Sequence, residues 1–130
     1  MSRQVKMNPE RKAQWTAKLR SGEVKQGGGQ LRGDGPDGAL FCCLGVACEL
    51  AVEAGVIPPP SIVDGYWTYG DEAGRSWSDL PPTVRVWLGI DDKDPYLGAE
   101  SASIWNDGEE AKELEPLPFD EIADLIDEHL

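Results

Sequence analysis

The sequence has few of the residues on which familiar catalytic and metal sites depend. It contains 1 His, 3 Cys and 2 Met in 130 residues. With His129 as the single imidazole, near the end of the last helix, a Ser–His or Cys–His catalytic pair is not predicted. The odd number of cysteines, two of them adjacent, does not suit a disulfide framework. We therefore expect a reducing cytoplasm, no catalytic residues of a known type and no cofactor.

Long apolar runs are also missing, and basic residues are scarce. No stretch approaches the ~18 apolar residues of a membrane span, and no apolar stretch follows residues 1–6, so we expect neither a membrane partner nor a signal peptide. Lys and Arg number 12 against 24 acids, for a net charge of −12. Because DNA binding needs a concentrated basic surface, we expect no appreciable affinity for duplex DNA.

The charges are unevenly distributed along the chain. Residues 1–32 hold eight of the twelve basic residues and only two acids, whereas residues 106–130 hold ten acids and a single Lys. These two segments either form separate solvated faces or attract each other and pack together, within one chain or between two. A monomer and a homodimer are both compatible with this pattern.

Helical patterns occur in five places. Asn8-Pro9-Glu10 is typical of a helix start, and Ser21-Gly22 of a helix end. A buried helix is predicted over about 43–54, and short helices over 81–88 and 101–106. The clearest pattern is an apolar stripe with a charged back over 119–130. The stripe consists of Phe119, Ile122, Ala123, Ile126 and Leu130, and we expect it to dock on Trp15, Leu19 and Leu44.

Strand patterns are weaker. Residues 23–26 and 30–32 flank three glycines and indicate a hairpin or an irregular extended segment, and residues 33–38 indicate a loop. A strand is predicted over 61–69, with a turn at 70–74 and a returning strand at 75–77. The fold class predicted for residues 1–130 is therefore α+β: one compact domain with about four helices packed on a small antiparallel sheet or hairpins. We expect an exposed acidic connector near 107–117.

Two segments offer weak signals for ligand binding. Cys42, Cys43 and Cys48 lie in the most apolar segment without a second ligand cluster, so core packing is favoured and no metal is predicted. The glycine run 27–29 lacks the Gly-Lys-Ser/Thr ending of a phosphate-binding loop. It is either a plain turn or an anion-binding site, for example for a nucleotide, with Lys25, Gly28 and Arg32 as the candidate residues.

Aromatic residues are concentrated in one segment, where Tyr66, Trp67 and Tyr69 precede Trp77. Large aromatic side chains anchor many protein interfaces, and they also form the cores of small sheets. Strand alternation would place Tyr66 on one face and Trp67 and Tyr69 on the other. Since both faces carry an aromatic residue, we predict that these four residues form a protein-binding site, with a core role as the alternative.

Several segments together resemble a family of small uncharacterised bacteriophage and prophage proteins. They cover most of the chain in order: Trp15 with 19–26 (LRSGEVKQ), 41–50 (FCCLGVACEL), 80–89 (LPPTVRVWLG), 105–108 (WNDG) and 119–126 (FDEIADLI). This chain departs from that pattern in a longer acidic insert at 109–118. The resemblance implies a phage product made in the host cytoplasm. It implies no activity and no catalytic residue.

Three functions are compatible with these observations. The leading hypothesis is a phage-encoded accessory protein that binds and modulates a host bacterial protein through residues 66–77, with its acidic surface steering the encounter. The alternative is a small-ligand or nucleotide-sequestering protein that uses the segment around the glycine run. An enzyme of an unfamiliar kind is the third.

Overall fold

A computed structural model of the protein describes residues 7–130; Arg3 and Lys6 of the basic N-terminal segment lie outside the described residues. Five α-helices are present in this part of the chain. They are α1 (Pro9–Arg20), α2 (Cys43–Glu53), α3 (Pro82–Leu88), α4 (Ala102–Asp107) and α5 (Phe119–His129). Eight short strands accompany them. They are β1 (Lys25–Gln26), β2 (Arg32–Gly35), β3 (Gly38–Phe41), β4 (Ser61–Val63), β5 (Tyr66–Asp71), β6 (Gly74–Ser76), β7 (Tyr96–Leu97) and β8 (Glu100–Ser101).

The strands form three small sheets, in the orders β1-β3-β2, β4-β5-β6 and β7-β8. All strand pairs are antiparallel except β1 with β3, which is parallel. The predicted fold class, a single α+β domain of helices on small sheets, is confirmed. The first sheet is mixed, however, and not purely antiparallel.

Of the two alternatives predicted around the glycine run, the hairpin is wrong. Lys25 and Gln26 pair with Leu40 and Phe41 of β3 instead of folding back on residues 30–32. Residues 33–38 are likewise not all loop, since Gly33 to Gly35 belong to β2. Gly33 and Gly35 can take part in β2 because the hydrogen bonds between strands are made by backbone groups. The absence of a side chain also leaves space for neighbouring side chains. A Cβ on Gly33 would lie 2.6 Å from the Gln30 amide nitrogen.

The second sheet also differs in detail from the prediction. Residues 61–69 are two strands joined by a turn at Asp64-Gly65, where both residues have positive φ angles of 51° and 86°. Two left-handed residues match the twist of a tight hairpin, and Asp-Gly is a strong sequence signal for it. β5 then continues to Asp71, so the next turn is shorter than residues 70–74.

The core contains buried side chains of α1, α2 and α5, and α1 packs against both of the other helices. Trp15 of α1, Leu44 of α2 and Ile122 of α5 have no exposed surface, and Leu19 is almost fully buried. Docking of the α5 stripe on Leu44 stays a prediction. Because α5 packs against α1, the predicted docking of the stripe on the helix that carries Trp15 and Leu19 is confirmed. At the edge of the same contact, one Arg20 nitrogen lies 2.7 Å from Asp124 and 2.8 Å from Asp127. Basic and acidic segments thus pack together within one chain.

Candidate functional site

The sheet β4-β5-β6 carries exposed apolar side chains on one face, at the end formed by Val63 and Tyr66. Cross-strand pairing of Val63 with Tyr66 places both side chains on one face. Both are exposed, at 48% and 42%. Trp77, just beyond β6, is 40% exposed and covers the same region. We call Val63, Tyr66, Arg75 and Trp77 the outer face.

Tyr66 and Trp77 stack on each other at the centre of the outer face. Their ring centroids are 4.3 Å apart and their planes differ by 26°. Stacking of this kind contributes ~0.5–1.5 kcal/mol beyond the area that it buries. The pair is therefore held in position before any partner arrives, although a large part of each ring remains in water.

Arg75 adds a positive charge to the outer face. Its guanidinium donates hydrogen bonds to the Ser61 hydroxyl at 2.8 Å and to the carbonyl and hydroxyl oxygens of Thr68 at 3.5 and 3.4 Å. These partners are neutral, so they orient the guanidinium without compensating its charge. A guanidinium has five N–H groups, and the remaining ones can serve an acceptor on another molecule.

The other two predicted aromatic residues point to the opposite face. The Trp67 indole N–H donates to the Asp34 carboxylate at 3.1 Å, and the Arg32 guanidinium lies 4.1 Å from the Trp67 ring centroid. Tyr69 has no exposed surface, and its hydroxyl donates to Glu49 at 2.6 Å. Burial, together with this acidic neighbour, raises the pKa of Tyr69 far above its ordinary value. A fully buried ring offers no contact area, so assigning Tyr69 to a binding surface is corrected to a core role.

The three candidate anion-binding residues each have a different neighbour. The Lys25 ammonium lies 3.8 Å from Asp37. Arg32 lies between the rings of Phe41 and Trp67, at 5.7 and 4.1 Å from their centroids. Gly28 lies against Asp107, whose carboxylate accepts the neighbouring Gly29 N–H at 3.1 Å. The glycine run is thus bound to a carboxylate of the chain itself.

A groove of about 640 Å³ lies beside the glycine run. We call it the glycine groove; its lining residues are Gln26 to Gly29, Asn106, Asp107 and Pro116 to Pro118. Its base is a polar network. The Gln26 amide donates to Asn106 at 3.1 Å and to the Leu117 carbonyl at 2.8 Å. The Asn106 amide donates to the Gly27 carbonyl and to Asp107, both at 2.8 Å.

The same network caps two helices. Cys43 N–H, at the start of α2, donates to Asn106 at 3.0 Å. Phe119 N–H, at the start of α5, donates to Gln26 at 3.1 Å. The sequence did not predict a role for the side chain of Asn106 or of Gln26. Each lies more than sixty residues along the chain from the helix that it caps. The family resemblance included both residues, Gln26 at the end of 19–26 and Asn106 in 105–108, but it implied no role for either.

The cysteines are core residues. Cys42, Cys43 and Cys48 are buried and free, as expected from the apolar segment that contains them. Burial raises the pKa of Cys42 to about 12 and holds the pKa values of Cys43 and Cys48 well above the ordinary range. Since the thiolate is the reactive form, these thiols are poor nucleophiles at neutral pH. Within residues 7–130 no three His, Cys, Asp or Glu side chains are grouped to hold a metal ion.

Comparison with known proteins assigns the chain to a family. Residues 7–130 match the model of a domain of unknown function, DUF8296, and the chain belongs to this family. No curated protein matches it, and no solved structure matches it. In the part of the chain that the structure describes, no helix has the length and apolar character needed to cross a membrane.

Proposed function

We propose that the protein is a non-enzymatic binding protein whose outer face docks on another protein. The observation that carries the proposal is the exposed stack of Tyr66 and Trp77. Tyr and Trp are the residues in which interface binding energy is most often concentrated. A rigid pair also loses little conformational entropy when a partner covers it.

The outer face indicates what kind of partner surface would fit. Val63 and the aromatic stack would fit an apolar pocket. Arg75, which forms no ion pair within residues 7–130, would fit a carboxylate or carbonyl oxygen at the edge of that pocket. The net charge of −12 favours encounter with a partner that is basic around this contact. The resemblance to phage and prophage proteins supports a protein of the bacterial host cytoplasm as this partner, and a phage gene as the origin of the chain.

The test is capture of partners from bacterial lysate by tagged wild-type protein and single-residue variants. Trp77→Ala and Tyr66→Ala should each reduce capture of the same host protein by about 30-fold, the equivalent of ~2 kcal/mol. Tyr96→Ala is the matched control, because Tyr96 is 62% exposed and lies outside the outer face. It should leave capture unchanged.

Thermal unfolding of each variant accompanies the capture measurement. Exposed aromatic residues should be removable with little loss of stability, so both outer-face variants should melt within a few degrees of the wild type. Equal capture by the wild type and folded Trp77→Ala would contradict the proposal. Unfolding of both variants would show that the stack is part of the core, and this result would also contradict the proposal.

A further inference from the structure

The glycine groove is a separate feature from the outer face, and its polar centre is one carboxylate. Asp107 accepts Gly29 N–H at 3.1 Å through one oxygen and the Asn106 amide at 2.8 Å through the other. Asn106 is itself fixed by Gln26, Gly27 and Cys43. The carboxylate is therefore held in one orientation. It forms no ion pair with any basic side chain of residues 7–130.

The surroundings of Asp107 leave room for a ligand. A Cβ on Gly28 would lie 2.8 Å from an Asp107 oxygen, so the absence of a side chain there keeps that oxygen accessible. Pro116, Leu117 and Pro118 form an apolar wall whose two prolines restrict backbone motion. A volume of about 640 Å³ is in the range of small-ligand sites.

The charge of the region selects the sign of the ligand. Asp107 is the one charged side chain among the residues that line the groove, so an anion is repelled there and a cation is attracted. A guanidinium presents two parallel N–H groups to a carboxylate, and an ammonium presents up to three. An alkyl chain behind either group would lie along the proline-rich wall.

We infer that the glycine groove binds an alkylguanidinium or alkylammonium group, with Asp107 as its counter-ion. This inference is independent of the outer face and of the proposed function. The cation can come from a free amine or from an Arg or Lys side chain of a protein. Both sources share the same chemistry, and the choice of probe distinguishes them.

The experiment is a two-dimensional NMR titration of the whole protein with three probes. n-Butylguanidinium represents a small free cation, N-acetyl-arginine amide represents an arginine within a protein with the same single charge, and N-acetyl-citrulline amide is a neutral compound of nearly the same shape as the arginine amide. Both cationic probes should shift the Gly28, Gly29 and Asp107 amide signals saturably, with a Kd of about 1 mM for ligands this small. The citrulline compound should bind at least ~10-fold more weakly, because it lacks the charge that pairs with Asp107.

Single-residue variants test whether binding of the cationic probes depends on the Asp107 carboxylate. Asp107→Asn keeps the shape but removes the charge, and should weaken binding of the cationic probes by at least ~10-fold. Gly28→Ala should weaken binding as well, because its Cβ displaces the Asp107 oxygen. Glu72→Gln, which removes the same charge in the turn between β5 and β6, is the control and should bind like the wild type. Thermal unfolding confirms that each variant is folded.

The outcomes are distinct. Tighter binding of n-butylguanidinium supports a small free cation as the natural ligand, and tighter binding of the arginine amide supports a protein side chain. The inference is overturned if neither cationic probe saturates by about 10 mM. It is also overturned if the citrulline compound binds equally well, or if Asp107→Asn binds the cationic probes as tightly as the wild type does.

Discussion

The indole N–H of Trp15 donates a hydrogen bond to the carbonyl oxygen of Cys43 at 2.9 Å, and both residues have no exposed surface. The bond joins the middle of α1 to the first turn of α2. Trp15 therefore connects the two helices through packing and also satisfies the only polar atom of its own side chain.

Trp15→Phe removes this bond and part of the ring. The change should lower the free energy of unfolding by ~1–3 kcal/mol, because a buried hydrogen bond is lost and the smaller ring leaves a void. Urea denaturation measures the loss. Trp105→Phe is the control: its indole N–H donates to the Leu97 carbonyl at the same distance, but at a partly buried site where water can replace it, so its loss should be smaller. Equal losses in the two variants would mean that the buried hydrogen bond of Trp15 contributes no more to stability than the partly buried one of Trp105.

Ile122→Ala truncates a side chain of α5 that has no exposed surface. Such truncations cost ~2–5 kcal/mol through lost burial and the cavity left behind. The melting temperature should therefore fall by many degrees in calorimetry. Val86→Ala is the matched control, because Val86 is 81% exposed on α3 and should change stability by less than ~0.5 kcal/mol. An unchanged melting temperature for Ile122→Ala would be incompatible with a docked α5.

Gly45→Ala should destabilise the protein, although alanine is the better helix former by ~1 kcal/mol. Gly45 lies in α2 directly against the Leu31 backbone carbonyl, which a Cβ would strike. Backbone cannot move aside as a flexible side chain would, so we expect a net loss of about 2 kcal/mol in chemical denaturation. Glu53→Ala, at an exposed position of the same helix, should have little effect. A stabilised Gly45→Ala would show that α2 can shift away from Leu31.

Stability should fall as the pH rises above about 9. The pKa of Cys42 is about 12 in the folded protein, against 9.0 for a free thiol. Between these values the unfolded chain loses its proton and the folded protein keeps it, so each pH unit favours unfolding by ~1.4 kcal/mol per such group. Urea denaturation from pH 8 to 11 should show this decline, to which Cys43 and Cys48 add in the same direction.

Cys42→Ser provides the control for the alkaline decline. Serine does not titrate in this range, and its hydroxyl can replace the Cys42 sulfur that accepts Gly45 N–H at the start of α2. The variant should therefore lose stability less steeply with pH. An identical slope would assign the decline to other groups.

Some elements of this fold could be predicted from local patterns alone. The α5 stripe repeats at helical spacing, and Asn8 caps α1 through the amides of Glu10 and Arg11 as its sequence indicates. Asp64-Gly65 is an equally local signal for a hairpin turn, but the surrounding residues favour a strand, so one continuous strand was predicted there. These features depend on residues a few positions apart, so the physics that determines them is contained in a short stretch of chain.

Other features depend on which distant segments meet, and only the tertiary structure decided them. Alternation along β5 separates Tyr66 from Tyr69, but only the packing of the whole chain buries Tyr69 and leaves Tyr66 partly exposed. Gln26 and Asn106 became helix caps because their segments meet at the starts of α5 and α2. Hydrogen-bond partners and burial at long range are set by packing of the whole chain, which a local sequence pattern does not contain.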